Sequence, residues 1–226
     1  MKKGFTLAEV LITLVILGVV AAMTIPSVLN NTRDMEYKSK AKKTFSILSQ
    51  AMAMASLQGY IPIVGISNNA ESGTIDDWYK TYIAPYITTI KVCYKSSSGC
   101  WNSGDTKYLN GQNVYYNIHG KGIGANFITA ILNDGTFINV DSYGSASMKT
   151  YFGADTSGKD GLVIFFDVNG DKKPNTVGRD IYVAVYKNGT LVPAYSDFPE
   201  KVNSDCSQKG TGYSCLYDIV DRGLQH

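Results

Sequence analysis

The chain has 226 residues, and its 21 Lys and Arg nearly balance its 19 Asp and Glu. That length holds an anchor segment plus one domain of about 165 residues, enough to bury a core of its own. So even a balance gives no footing to a dedicated nucleic-acid binder, which shows a basic domain or stripe, and no nucleic acid is expected as a partner. With 16 tyrosines against 2 tryptophans, and 22 glycines, the composition leans toward a β-rich extracytoplasmic protein.

The first predicted element is an apolar helix over residues 4–23, GFTLAEVLITLVILGVVAAM, which follows Lys2 and Lys3 and contains a single carboxylate, Glu9. Residues 5–23 amount to 19 positions. That is about 28 Å of helix at 1.5 Å per residue, close to the roughly 30 Å hydrocarbon core of a bilayer. The positive-inside bias keeps the two lysines cytoplasmic and places everything after Met23 across the membrane. A charged carboxylate inside hydrocarbon costs on the order of 2.5–3.5 kcal/mol, so Glu9 needs a cationic partner or a functional reason. The competing reading is a plain signal anchor with an incidental glutamate.

Met1, Lys2, Lys3 and Gly4, followed by Phe5, Thr6, Leu7, Ala8 and Glu9, resemble the leader of type IV prepilins, a family that includes the type II secretion pseudopilins. The resemblance covers roughly the first 55 residues. An ordinary secretory signal is cut after its apolar run; the resemblance implies a cut before it. On this reading an inner-membrane prepilin peptidase cleaves between Gly4 and Phe5 and methylates the new amine of Phe5. Glu9 then matches the family glutamate that neutralises the N-terminal amine of a neighbouring subunit in a filament. The resemblance further implies other pilin-like subunits and an inner-membrane assembly platform as partners, with membrane lipid around the helix before assembly. The protein would sit in a bacterial inner membrane as a single-pass subunit with its C-terminal domain outside the cytoplasm. It would later join a periplasmic pseudopilus or a cell-surface pilus. Loss of Lys2 and Lys3 takes Lys plus Arg from 21 to 19, equal to the 19 Asp plus Glu.

Past Pro26, Met35, Ala41, Phe45, Leu48, Met52 and Ala55 recur mostly at intervals of three and four, an apolar stripe of helical period. Lys38, Lys40, Lys42 and Lys43 occupy other faces. They could attract anionic lipid or nucleic acid, but Asp34 and Glu36 lie beside them and favour a solvated face. One helix over residues 5–57, about 80 Å long, accounts for both patterns. Its second half would pack on a domain, and Gly59 and Pro62 would end it. Pro26 removes a backbone donor in the interior and predicts a kink or local melting. Pilins resemble this arrangement, often with a proline at the corresponding place.

Residues 67–73 read as polar loop. A short helix over 76–82 follows, capped by Thr74 or Asp76 and closed before Pro85. Residues 87–94 read as a strand, and 162–168 as a nearly continuous apolar one. Residues 127–132 and 136–140 flank Asn133-Asp134-Gly135, a hairpin signal. Residues 181–186 and 190–194 flank Asn188-Gly189, which favours a type I′ turn. These predict an antiparallel sheet of about five strands, one face of which covers the amphipathic half of the long helix. The fold class is α+β and pilin-like. The division is a leader at 1–4, a transmembrane and filament-core helix at 5–25, its amphipathic continuation at 26–58 and an extracytoplasmic β-rich domain at 59–226. No internal repeat or second-domain linker is visible.

Cys93 with Cys100 and Cys206 with Cys215 are two close pairs. Four cysteines allow three connectivities, and local pairing is the simplest. Each short loop would contribute roughly 2.5 kcal/mol by chain entropy, in the oxidising compartment that the leader implies. Zinc competes, but neither pair has the short spacing of a zinc knuckle.

No motif supports an enzyme. His119 and His226 sit in no nucleophile or zinc-hydrolase pattern, residues 120–124, GKGIG, lack the rest of a phosphate loop, and Asp76-Asp77 reads as a cap or solvated charge. No cofactor is required. The candidate metal site is Asp167, Asn169 and Asp171 with Asp180, oxygens at alternate positions around Gly170 that would suit calcium. Major pseudopilins resemble this in having a calcium loop late in the sheet domain. Here no glutamate stands at the twelfth position, Lys172 and Lys173 oppose a cation, and an Asx-rich turn is the competing reading. The function that follows is a pilin-like subunit acting by polymerisation. Length and the C-terminal cysteine loop lean toward a pilin or a minor component over a major pseudopilin; the alternatives are a minor filament-tip subunit binding DNA or a surface ligand, and a membrane-tethered extracytoplasmic enzyme.

Overall fold

A computed structural model describes residues 4–57, 73–94, 98–101, 104–114 and 127–221. The chain divides into two compact units, Met1–Glu36 and Tyr37–His226. Helix α1 (Leu7–Leu57) runs unbroken through Pro26. The local melting expected there does not occur, and Pro26 sits inside the continuous helix.

In the second unit α1 buries Tyr37, Ala41, Thr44, Leu48, Ala51, Met52 and Ala55, a stripe of alternating three- and four-residue steps. Met35, expected on that stripe, is 72% exposed, because it falls outside the register that begins at Tyr37. Phe45 is half-buried against the same core. Helix α2 (Gly73–Tyr82) starts three residues earlier than expected. Thr74 and Asp76 therefore lie inside its first turn, past the cap position, and Asp76 meets the positive end of the helix. A 3₁₀ turn, Ala84–Tyr86, accommodates Pro85 before the sheet.

Six strands, β1 (Thr89–Tyr94), β2 (Phe127–Leu132), β3 (Phe137–Tyr143), β4 (Gly161–Asp167), β5 (Ile181–Lys187) and β6 (Thr190–Pro193), form one antiparallel meander in chain order. Asn188 at φ 51° and Gly189 at φ 86° close the last hairpin with both central residues left-handed, the type I′ signature. In β1 the register shifts between Thr89 and Lys91, a bulge that blunts the sheet edge and leaves Ile90 67% exposed.

The sheet is covered on both faces, one of them by the amphipathic stretch of α1 as expected. On the first, Ile138, Val140, Ile164, Phe166, Tyr182 and Tyr186 pack with α1, α2 and helix α5 (Cys215–Val220). On the second, Phe137, Val163, Phe165 and Val183 meet Trp101, Tyr213, and Met148 and Phe152 of helix α3 (Ser145–Phe152). Hence β4 is buried at every position instead of alternating. Helix α4 (Val202–Asp205) leads into the C-terminal disulfide loop.

Candidate functional site

The chain's N-terminal turn is built by two side chains. Thr6 stands just before α1, and its hydroxyl accepts a hydrogen bond from the Glu9 N–H at 3.3 Å. In return Glu9 Oε2 accepts from the Thr6 N–H at 2.8 Å and from the Thr6 hydroxyl at 2.8 Å. This is a capping box, Thr-x-x-Glu, in which two groups left over by the helix start satisfy each other. The first helical bond, Val10 N–H to Thr6 carbonyl at 3.2 Å, follows from it. Thr6 and Glu9 stand at the spacing that signals such a box in the sequence itself, on a residue to whose carboxylate the prepilin resemblance also gives an intermolecular use.

Phe5 is 88% exposed, and a Cβ added at Gly4 would meet nothing within 4 Å, so the chain's own packing does not ask for glycine there. From Val10 to Met23 the helix carries no charge and has apolar side chains on every side. Leu11, Leu14, Val15, Ile16, Leu17 and Val19 are all exposed in the isolated chain. Such a helix suits a surrounding that is apolar on every side. Its hydroxyls are already satisfied internally: Thr13 donates to the Val10 carbonyl at 2.9 Å, as Thr24 does to Val20. That is the condition for placing them in hydrocarbon. α1 is long and apolar enough to cross a membrane.

Two disulfides join Cys93 to Cys100 and Cys206 to Cys215. The second loop is organised from within by Asp205, a residue that carried no sequence signal. Its carboxylate accepts from the Thr211 N–H at 3.0 Å, the Thr211 hydroxyl at 2.5 Å and the Ser214 N–H at 2.8 Å. Gly212, at φ 86°, brings the loop against Val177, where an added Cβ would lie 2.4 Å from the Val177 carbonyl oxygen.

The four residues considered for a cation take separate roles. Asp167 Oδ1 accepts the Asn169 and Gly170 N–H groups, each at 3.1 Å, which is an Asx turn. Asp180 accepts the Asn175 N–H at 2.8 Å, the Thr176 N–H at 2.6 Å and the Asn169 side-chain amide at 2.9 Å. Burial still raises its carboxyl above the usual range, these hydrogen bonds pulling the other way. Asn169 also donates to the Tyr37 hydroxyl at 3.2 Å, which ties the β4–β5 loop to α1. Asp171 is exposed. Among the described residues no three His, Cys, Asp or Glu side chains are placed to hold one metal ion.

Of the basic cluster, Lys43 reaches Asp134 at 3.2 Å across the surface, while Lys38 and Lys42 are exposed. His119, His226, residues 120–124, and Gly59 and Pro62 lie outside the described residues.

The fold is therefore that of a long N-terminal helix with an α+β domain, and its capped, acid-bearing start is the candidate site. Residues 1–25 match the prokaryotic N-terminal methylation motif. The chain carries the type IV prepilin and pseudopilin signature, which marks structural subunits, and its apolar helix fits membrane anchoring. No curated protein and no solved structure matches the chain.

Proposed function

We propose that this prepilin-type chain is cleaved between Gly4 and Phe5, methylated on Phe5, and polymerised into a type IV pilus or a type II secretion pseudopilus. Before assembly the helix rests in the inner membrane with the sheet domain outside the cytoplasm. Assembly draws it into a filament core, where packing against other helices replaces lipid. The observation that carries the reading is a lone carboxylate, Glu9, five residues after Gly4 in a helix that has no other charged residue from Leu7 to Met23 and whose large apolar side chains there are exposed. In oil an unpaired charge is expensive. The Phe5 amine of a neighbouring subunit is the cation that cleavage creates, and pairing it with Glu9 would set the stagger between subunits.

Partners on this reading are the prepilin peptidase, like subunits and the assembly platform. The chemistry is noncovalent after processing, so the chain acts by polymerisation and not as an enzyme. Glu9→Ala tests it: the variant is expected to insert and be cleaved normally but to be absent from sheared filament fractions. Filaments at the wild-type level would overturn the reading.

A further inference from the structure

The Thr6–Glu9 capping box is drawn entirely from residues after the Gly4–Phe5 bond, so it survives cleavage. It also divides the carboxylate. Both contacts from Thr6 fall on Oε2, and among the described residues Oε1 receives no hydrogen bond. We propose that Thr6 is the positioning residue of the assembly acid: it holds Glu9 at the helix's first turn by one oxygen and presents the other to an incoming amine. This rests on the reading of Glu9 as the assembly acid and adds to it a cis partner that the carboxylate keeps throughout.

The physical reason is the state before assembly. A subunit waiting in the bilayer has no neighbour, and an unsatisfied carboxylate there would draw the N-terminus toward water or leave its rotamer undefined. The box supplies two donors from the adjacent turn, one of them a backbone N–H that the helix start leaves over in any case. Because that N–H and the hydroxyl converge on Oε2, the Glu9 side chain lies back along its own helix. The pairing with a neighbour's amine then costs little further ordering of the side chain, which is the gain expected from preorganisation.

Two substitutions separate the cis contact from the trans one. Glu9→Gln keeps an acceptor for Thr6 and so keeps the box, but loses the charge. Thr6→Val keeps the charge and nearly the shape, but loses the hydroxyl. Thr6→Ser restores the hydroxyl. Each full-length variant is produced with its peptidase and assembly machinery, and assembly is scored as the fraction of cleaved subunit found in filaments, so that a change in cleavage cancels. Amide hydrogen exchange at Thr6 and Glu9 is read in parallel on the cleaved chain in micelles.

Thr6→Val is expected to lose protection at the Glu9 amide, whose acceptor is the hydroxyl, and to assemble about fivefold less, the size of one lost helix cap, with Thr6→Ser restoring both. Glu9→Gln is expected to keep the protection and lose assembly. If Thr6→Val assembles as wild type while Glu9→Gln does not, the positioning role is wrong and the assembly acid stands. If Glu9→Gln also assembles as wild type, the reading of Glu9 itself has failed. If Thr6→Ser behaves like Thr6→Val in both measurements, the hydroxyl is not the operative group, and the proposal falls.

Discussion

The two stretches of α1 share one helix and differ in what they ask of their surroundings. Between residues 7 and 29 apolar side chains point to every side and are exposed, Leu14 at 59% and Ile16 at 57% among them. Between residues 37 and 57 a stripe from Tyr37 to Ala55 is buried, while Lys38, Lys42, Lys43, Ser46 and Gln50 are exposed. The angular distribution of apolar residues, more than their number, identifies the partner. A stripe finds its core within the same chain, whereas an all-round apolar helix is complete only in lipid or among other such helices.

The sharpest way to break this contrast is a pair of truncations. Leu48→Ala removes a side chain that is 1% exposed, and is expected to cost about 2–5 kcal/mol. It should lower the thermal midpoint of the full chain in detergent. Leu14→Ala is expected to leave that midpoint where it was. Equal losses from the two would erase the distinction.

A smaller effect concerns the sheet unit alone. Asp141 on β3 is 2% exposed, and burial pushes its carboxyl up to about 7 against hydrogen bonds from the Ser142 N–H and Tyr143. Below about pH 4, the ordinary range of an aspartate, the group is protonated in the folded and unfolded chain alike and has no effect. As the pH rises toward about 7, only the unfolded chain ionises, so stability falls, and above that the loss is complete. Asp141→Asn keeps the side-chain oxygen and should flatten this portion of the profile, exceeding wild type at pH 8 and converging with it near pH 4. Melting curves recorded across that range would contradict the account if the two profiles ran parallel.

The smallest effect is expected from calcium. With Asp167 and Asp180 already accepting five hydrogen bonds, millimolar calcium should leave the thermal midpoint unchanged. A clear stabilisation that Asp180→Asn removed would contradict this and make the β4–β5 loop a metal site.

Much of this was legible because its signals are local. Asn133-Asp134-Gly135 and Asn188-Gly189 set two hairpins, the three- and four-residue spacing set the buried stripe of α1, and the apolar run with its lone acid marked the N-terminus. What escaped depends on contacts distant in sequence. Helices α3 and α5 are short and held by the cores they cover, α5 also by the Cys206–Cys215 bridge, so their periodicity is too brief to read. Burial of the second sheet face comes from segments around Trp101, Phe152 and Tyr213 that no strand pattern announces. Asp205 takes its role from Thr211 and Ser214, which the loop closed by the Cys206–Cys215 bridge carries back to it. The Thr6–Glu9 box is the exception, a local signal hidden by a second use for the same residue.

The most direct measurement is the intact mass of the chain isolated from membranes that contain a prepilin peptidase. The account predicts a chain that begins at Phe5 and carries one added methyl group. A chain that retains Met1 to Gly4, or one cut beyond Met23, would contradict it.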